Sequence, residues 1–152
     1  MFSHRAARWS TRSVVQRHSQ GLRLLVVDDY PPGAEAVTAA LLADGYDVRC
    51  VFCGRAALDV VGTWAPDIAV LDINMPEMNG FELAVSLRQC RVTSDIGMIA
   101  FTALAESAVR ARAAATSFDA YCQKAGAPTM LSRLIRQMLK QNETPSPWAP
   151  SR

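Results

Sequence analysis

From Leu22 onward the chain alternates short apolar runs with stretches whose apolar residues recur three and four positions apart. LRLLVV, DVRCVF, DIAVL, IGMIAF and DAYC predict five strands. The first, third and fourth are almost unbroken apolar runs, the pattern of central strands in a parallel sheet covered on both faces. Between the strands lie four candidate helices, and a fifth follows the last strand. Pro31–Ala43 sets Val37, Ala40, Leu41 and Asp44 at helical spacing, and Gly45 supplies the stop. Residues 55–64 follow Gly54 and are barred from continuing by Pro66, while residues 81–90 follow Gly80. AESAVRARAAATSF, residues 105–118, has high helix propensity but only Val109 as a large apolar residue before its end, so it should form a helix that packs weakly. The last helix has the clearest stripe: Met130, Leu131, Leu134, Ile135, Met138 and Leu139, with Arg133, Arg136 and Lys140 off it.

A strand-then-helix alternation repeated five times implies a doubly wound α/β sandwich with a five-stranded parallel sheet, the (βα)5 flavodoxin-like arrangement. At 152 residues, half of them hydrophobic and a fifth charged, the chain has room for one such domain with a sizeable core. The expected organisation is a disordered basic arm over residues 1–20, the folded domain over 21–141, and a disordered Pro/Ser-rich tail over 142–152. The arm carries Arg5, Arg8, Arg12 and Arg17 and no acid. Acids slightly outnumber bases in the rest, so the net charge of +2 belongs to the arm and does not point to a nucleic-acid-binding domain. The arm shares its Arg- and Ser-rich composition with transit peptides, but a plain tail is the expected reading. No apolar run is long enough to cross a bilayer, and a cytoplasmic, reducing location is expected. Cys50 and Cys53 form a CxxC, yet no second pair exists and both histidines lie in the arm, which argues against zinc; buried apolar cysteines are expected.

In an open parallel sheet, ligands bind outside the carboxyl ends of the strands. There the first strand ends in Asp28 and Asp29, the third in Asp72, the fourth in Thr102, and the fifth is followed by Lys124. Three carboxylates in one cleft raise each other's pKa unless cations offset them, and a single ammonium leaves them in excess. Mg²⁺ suits such an edge, because it takes oxygen ligands and bridges carboxylate to phosphate. Pro31 and Pro32 stand where a glycine-rich phosphate loop would follow the first strand, so a nucleotide is not held in that manner.

LLVVDD, VLDINMPEMNG, IAFTA and YCQKA, each after its own strand, resemble the receiver domain of two-component response regulators, over about residues 22–141. That resemblance implies a single-domain signalling receiver. Asp72 would be the phosphoacceptor, taking a phosphoryl group from a sensor histidine kinase or a histidine phosphotransfer protein. Asp28, Asp29, Asp72 and the backbone carbonyl of Asn74 would hold Mg²⁺. Thr102 and Lys124 would bind the phosphoryl oxygens, and Thr102 with Tyr121 would form the switch. The output would be phosphorylation-dependent binding of a downstream protein not named by the sequence. No membrane or direct nucleic-acid binding is implied, and self-association would use the last two helices as a homodimer. The domain would not be an enzyme beyond slow self-dephosphorylation.

Two positions depart from the family pattern. Ala125 follows Lys124 where the family usually has proline with a cis bond, and a non-proline cis bond costs about 2.5–4 kcal/mol, which puts the reach of Lys124 in question. Leu104 flanks the path of a hydrolytic water and cannot orient it. An alternative from another class is a haloacid-dehalogenase-like phosphohydrolase with Asp72 as nucleophile. Such enzymes place a second Asp two residues later, where Asn74 stands here. A receiver that never gains phosphate is the third reading, against which the intact acids argue.

Overall fold

The computed structural model describes residues 5–113, 117–126 and 128–139. Six strands and five helices follow in the order β1 (Ala6–Arg8), β2 (Arg23–Val27), α1 (Pro31–Ala43), β3 (Asp47–Val51), α2 (Gly54–Val61), β4 (Ile68–Leu71), α3 (Gly80–Gln89), β5 (Gly97–Thr102), α4 (Glu106–Arg112), β6 (Ala120–Gln123) and α5 (Thr129–Met138). The sheet order is β1-β6-β5-β4-β2-β3, parallel throughout except for β1. The five predicted strands are therefore the five parallel ones, and β1 is an antiparallel addition at one edge.

Alternation along the strands divides the core in two. Leu25, Val27, Ala69, Leu71, Met98, Ala100 and Tyr121 face α2, α3 and α4, while Leu24, Val26, Ile68, Val70, Ile99 and Phe101 face α1 and α5. Strands β4 and β5 are buried along their whole length, as are residues 24–27 of β2, whereas β3 at the outer edge is only half-buried. Each fully buried Leu, Ile or Val contributes roughly 1.5–3 kcal/mol, so this two-sided burial is the main force holding the strand ends in register. The stripe of α5 packs as its spacing predicts, through Leu131, Leu134, Ile135 and Met138. Gly45, at φ 95, ends α1 in the left-handed conformation that glycine adopts without steric cost. In α4, as predicted, only Val109 is buried, but the helix stops at Arg112, and Ser117 and Phe118 are not helical. Helix α2 also ends earlier than Trp64, at Gly62.

The largest correction concerns the arm. Residues 5–20 are not a disordered tail. Strand β1 pairs Ala6, Ala7 and Arg8 with Cys122, Tyr121 and Ala120, and Val14 is buried with its N–H donating to the Met138 carbonyl. The anchor is Asp119, a buried carboxylate just before β6. It accepts from Ser10 Oγ at 2.7 Å, Arg12 Nε at 3.0 Å, Arg88 Nη2 at 2.8 Å and the Met98 N–H at 2.9 Å. The expected tail over 142–152 lies outside the described residues.

The cysteines are a second correction. Cys122 is buried and Cys50 half-buried, but Cys53 is exposed and caps α2, its Sγ accepting from the Ala56 N–H at 3.4 Å. The expectation of buried apolar cysteines therefore fails at Cys53, which lies beyond the end of β3 at Val51.

Replacing Asp119 with alanine leaves the Arg88 guanidinium buried without its partner, a loss of about 3–5 kcal/mol. Urea unfolding of Asp119→Ala should show that loss, and Arg12→Ala, whose side chain is a third exposed, should lose markedly less.

Candidate functional site at the strand ends

The site is made by strand termini that the core fixes in place. The N–H of Asp28 donates to the Val51 carbonyl and that of Asp72 to the Val27 carbonyl, so both acids continue the ladder one residue past their strands. Gly80 then brings the start of α3 against the main chain of Asp72. A Cβ at position 80 would collide with the Asp72 carbonyl oxygen, so only glycine permits the approach. Asn79 caps α3 through a reciprocal pair with Glu82, fixing the far end of that loop.

Asp28 and Asp72 are buried and Asp29 is exposed, yet one carboxylate oxygen of each lies within 4.8 Å of the others. Lys124, which opens a short 3-10 turn after β6, places its Nζ 2.7 Å from Asp28 Oδ2 and 3.4 Å from Asp72 Oδ2. Ala125 in place of proline therefore does not keep the lysine from the site. The Phe101 ring lies 5.7 Å below the ammonium, and Asp28 Oδ1 accepts from the Tyr30 N–H at 3.0 Å. Thr102, the last residue of β5, is buried beside β4, and its hydroxyl oxygen accepts the Leu104 N–H at 3.2 Å. Asn74 stands exposed in the loop after Asp72.

The electrostatics follow from this crowding. Burial pushes the Asp72 carboxyl up to about 6; the Lys124 charge pulls it down, and Asp28 pushes it further up. For Lys124, burial works against the charge, but its bond to Asp28 and the two nearby carboxylates outweigh it and leave its pKa raised. One ammonium is thus too little for three carboxylates. The three hard oxygen donors fit a divalent cation such as Mg²⁺, which would be held by Asp28, Asp29 and Asp72.

Tyr121 lies away from the acids, fully buried on the α2–α3–α4 side of the sheet, with its hydroxyl donating to the Leu104 carbonyl. Two residues near the site escaped the sequence reading. Phe101 reads as plain core, and Trp9, which stacks on Tyr121 with ring centroids 5.9 Å apart and 6° between planes, sits in the arm taken for a tail. An isolated Trp among arginines was the available signal.

A doubly wound sheet with acids, a hydroxyl and a lysine at its strand ends defines a receiver-type signalling module. The sequence profile of the response regulator receiver domain matches residues 24–136, and the chain belongs to that family. It is 32% identical over 121 residues to a DNA-binding response regulator, MtrA, of Mycolicibacterium smegmatis, covering 80% of this chain and 52% of that protein. The chain spans about half the length of the curated relatives it matches. Among solved structures it is similar to response regulator TrrA of Thermotoga maritima in complex with Mg²⁺-BeF, at 30% identity and a TM-score of 0.70, covering 78% of this chain and 99% of that one. CheY4 of Vibrio cholerae shares the fold, with a TM-score of 0.73, 24% identity and the same coverage.

A carboxyl raised by folding binds its proton more tightly in the folded than in the unfolded state. Its contribution therefore falls as pH rises from the ordinary carboxylate range through about 6, and stays unfavourable above. With a chelator present, Asp72→Asn should be more stable than the parent at pH 7 by about 1–2 kcal/mol, allowing for the partly wet rim. The gap should close as pH falls towards 4, and denaturant titrations at the two pH values check both points.

Proposed function

We propose that the chain receives a phosphoryl group on Asp72 from the phosphohistidine of a sensor histidine kinase or a histidine phosphotransfer protein, and signals by binding a downstream protein. The observation that carries this reading is the convergence of Asp28, Asp29 and Asp72 within 4.8 Å, with Lys124 bridging two of them. Asp72 Oδ attacks the phosphorus, the donor's N–P bond breaks, and an acyl phosphate forms. Such a transfer asks mainly for in-line positioning and neutralisation of charge on the phosphoryl oxygens. The three carboxylates and the Asn74 carbonyl would hold Mg²⁺, which would supply positive charge to keep Asp72 ionised and to offset the phosphoryl oxygens.

Lys124 is already within reach of both buried acids, so it moves little to pair with a phosphoryl oxygen. Thr102 can donate its hydroxyl hydrogen to another. Doing so draws Thr102 away from the Leu104 N–H it now accepts, and Leu104 in turn is the acceptor of the Tyr121 hydroxyl. The switch is this chain of two hydrogen bonds. Helix α4 follows it readily, because Val109 is its only buried residue.

Incubation with acetyl phosphate and Mg²⁺ should raise the intact mass by one phosphoryl group, and Asp72→Asn should abolish the gain. Lys124→Ala should slow it by at least about tenfold, since a charge-assisted bond to a phosphoryl oxygen contributes roughly 1.5–3 kcal/mol. Asp29→Asn should weaken Mg²⁺ in a calorimetric titration while leaving the fold intact. An unchanged mass in the parent, with no heat of Mg²⁺ binding, refutes the reading.

Leu104, half-buried two residues after Thr102, offers no side-chain polar atom to orient a hydrolytic water. The aspartyl phosphate should therefore persist for minutes or longer once donor is removed, and timed mass spectra would detect decay within seconds.

A further inference from the structure

We infer that residues 5–9 form a releasable strap over the switch face, holding Tyr121 in its unphosphorylated position until Asp72 is phosphorylated; this rests on the receiver reading above. Tyr121 owes its complete burial in part to the strap. On its ring lies Trp9, whose indole N–H donates to Glu106 at 3.0 Å and whose other surroundings include the Arg110 guanidinium at 5.3 Å. Glu106 and Arg110 belong to α4 and pair with each other at 3.5 Å. Trp9 is thus gripped by the ring at the end of the switch chain and by the helix that chain moves. A contiguous path runs from Thr102 through Leu104 and Tyr121 to Trp9 and α4.

The two halves of the arm are held very differently. From Ser10 to Val14 it is fixed by the buried Asp119 carboxylate, by the Val14 side chain in the core and by Arg12 Nη1 on the Asp95 carbonyl at 3.0 Å. From residue 5 to residue 9 no side chain is buried: the segment is held by the short β1–β6 ladder, by the Gln123 N–H on the Arg5 carbonyl at 2.6 Å, by Trp9, and by the exposed Arg8, whose Nη1 reaches the Gln137 carbonyl at 3.1 Å. Ala7 and Arg8 line a groove of about 330 Å³ together with Met130 and Leu134 of α5. A segment moored at one end by a buried carboxylate, and held at the other by a short edge ladder and one aromatic contact, can lift without unfolding the domain. While seated it pairs with the edge of β6 and reaches α4 through Trp9 and α5 through Arg8, so it covers the face that the downstream protein of the proposed function would read. The phosphorylated state is then read at this face by competition with the strap.

By linkage, if phosphorylation loosens the strap, loosening the strap favours phosphorylation. Hydrogen exchange by mass spectrometry on the full chain, with and without Mg²⁺ and beryllofluoride, should show exchange at residues 5–9 rising about tenfold, with no rise in Asp72→Asn. Trp9→Ala should bind beryllofluoride in the presence of Mg²⁺ about fivefold more tightly than the parent, and Trp9→Phe, which keeps a ring on Tyr121, should lie nearer the parent. If Trp9→Ala does not fold, Trp9→Phe and the parent exchange data carry the test. Unchanged exchange at 5–9 while residues 103–113 respond overturns the strap and leaves the receiver reading standing. No response anywhere, with no phosphoryl gained, overturns that reading and the strap with it.

Discussion

Asp28 and Asp72 compete for one ammonium, and the rest of the molecule is arranged so that neither can leave. Each acid is the first residue beyond a buried strand, and each donates its N–H into the ladder of the adjacent strand. Shifting either strand by one residue would turn its whole apolar set to the wrong face, which costs far more than relieving the repulsion. Gly80 adds a second restraint by seating α3 against the main chain of Asp72. The fold therefore maintains a rim with excess negative charge, and the free energy stored there becomes available to whatever cation arrives.

The same rim connects to a distant surface through very few atoms. Thr102 is both a neighbour of the acids and the acceptor for Leu104, and Leu104 is the acceptor for Tyr121. Packed cores transmit displacement poorly unless an element has two arrangements open to it. Here the element with little to lose is α4, which buries one large side chain, and it lies at the end of that hydrogen-bond chain. Its grip on Trp9 through Glu106 and Arg110 extends the connection to the arm. A small rearrangement at Thr102 is therefore placed to alter contacts on the α4–β6–α5 side, while the α1–α5 side, packed by Leu131, Leu134, Ile135 and Met138, has no comparable freedom.

The parallel sheet and the position of its acids were legible because the information is local. Unbroken apolar runs such as LLVV and IAVL report two-sided burial, and the residue after each run must stand at the sheet's edge. Lys124 was legible in type and position, but its reach depended on the backbone after it, which Ala125 left open. The arm was illegible for a different reason. AAR has neither alternation nor β-branched residues, and its pairing depends on Asp119, more than a hundred positions away, being buried with two guanidiniums. No window of sequence contains that contact. Cys53 was misjudged because apolar character was assigned to the CxxC as a unit, whereas strand β3 ends at Val51 and leaves the second cysteine outside it.

Under the proposed assignment, the three carboxylates are not interchangeable, and their surroundings say why Asp72 takes the phosphoryl group. Asp28 has one oxygen on the Tyr30 N–H and the other 2.7 Å from Lys124, so both of its oxygens are engaged. Asp29 is exposed, and its charge is screened by water. Asp72 is buried and has the longer 3.4 Å contact to Lys124, and that burial raises its carboxyl to about 6. A basic carboxylate is the better nucleophile, but only while ionised, and near neutral pH the excess charge around it works against ionisation. A divalent cation held by the three carboxylates would remove that opposition. Metal binding and nucleophilicity are then one electrostatic property, and removing the charge of Asp28 would lower the demand for the metal and the basicity of Asp72 together.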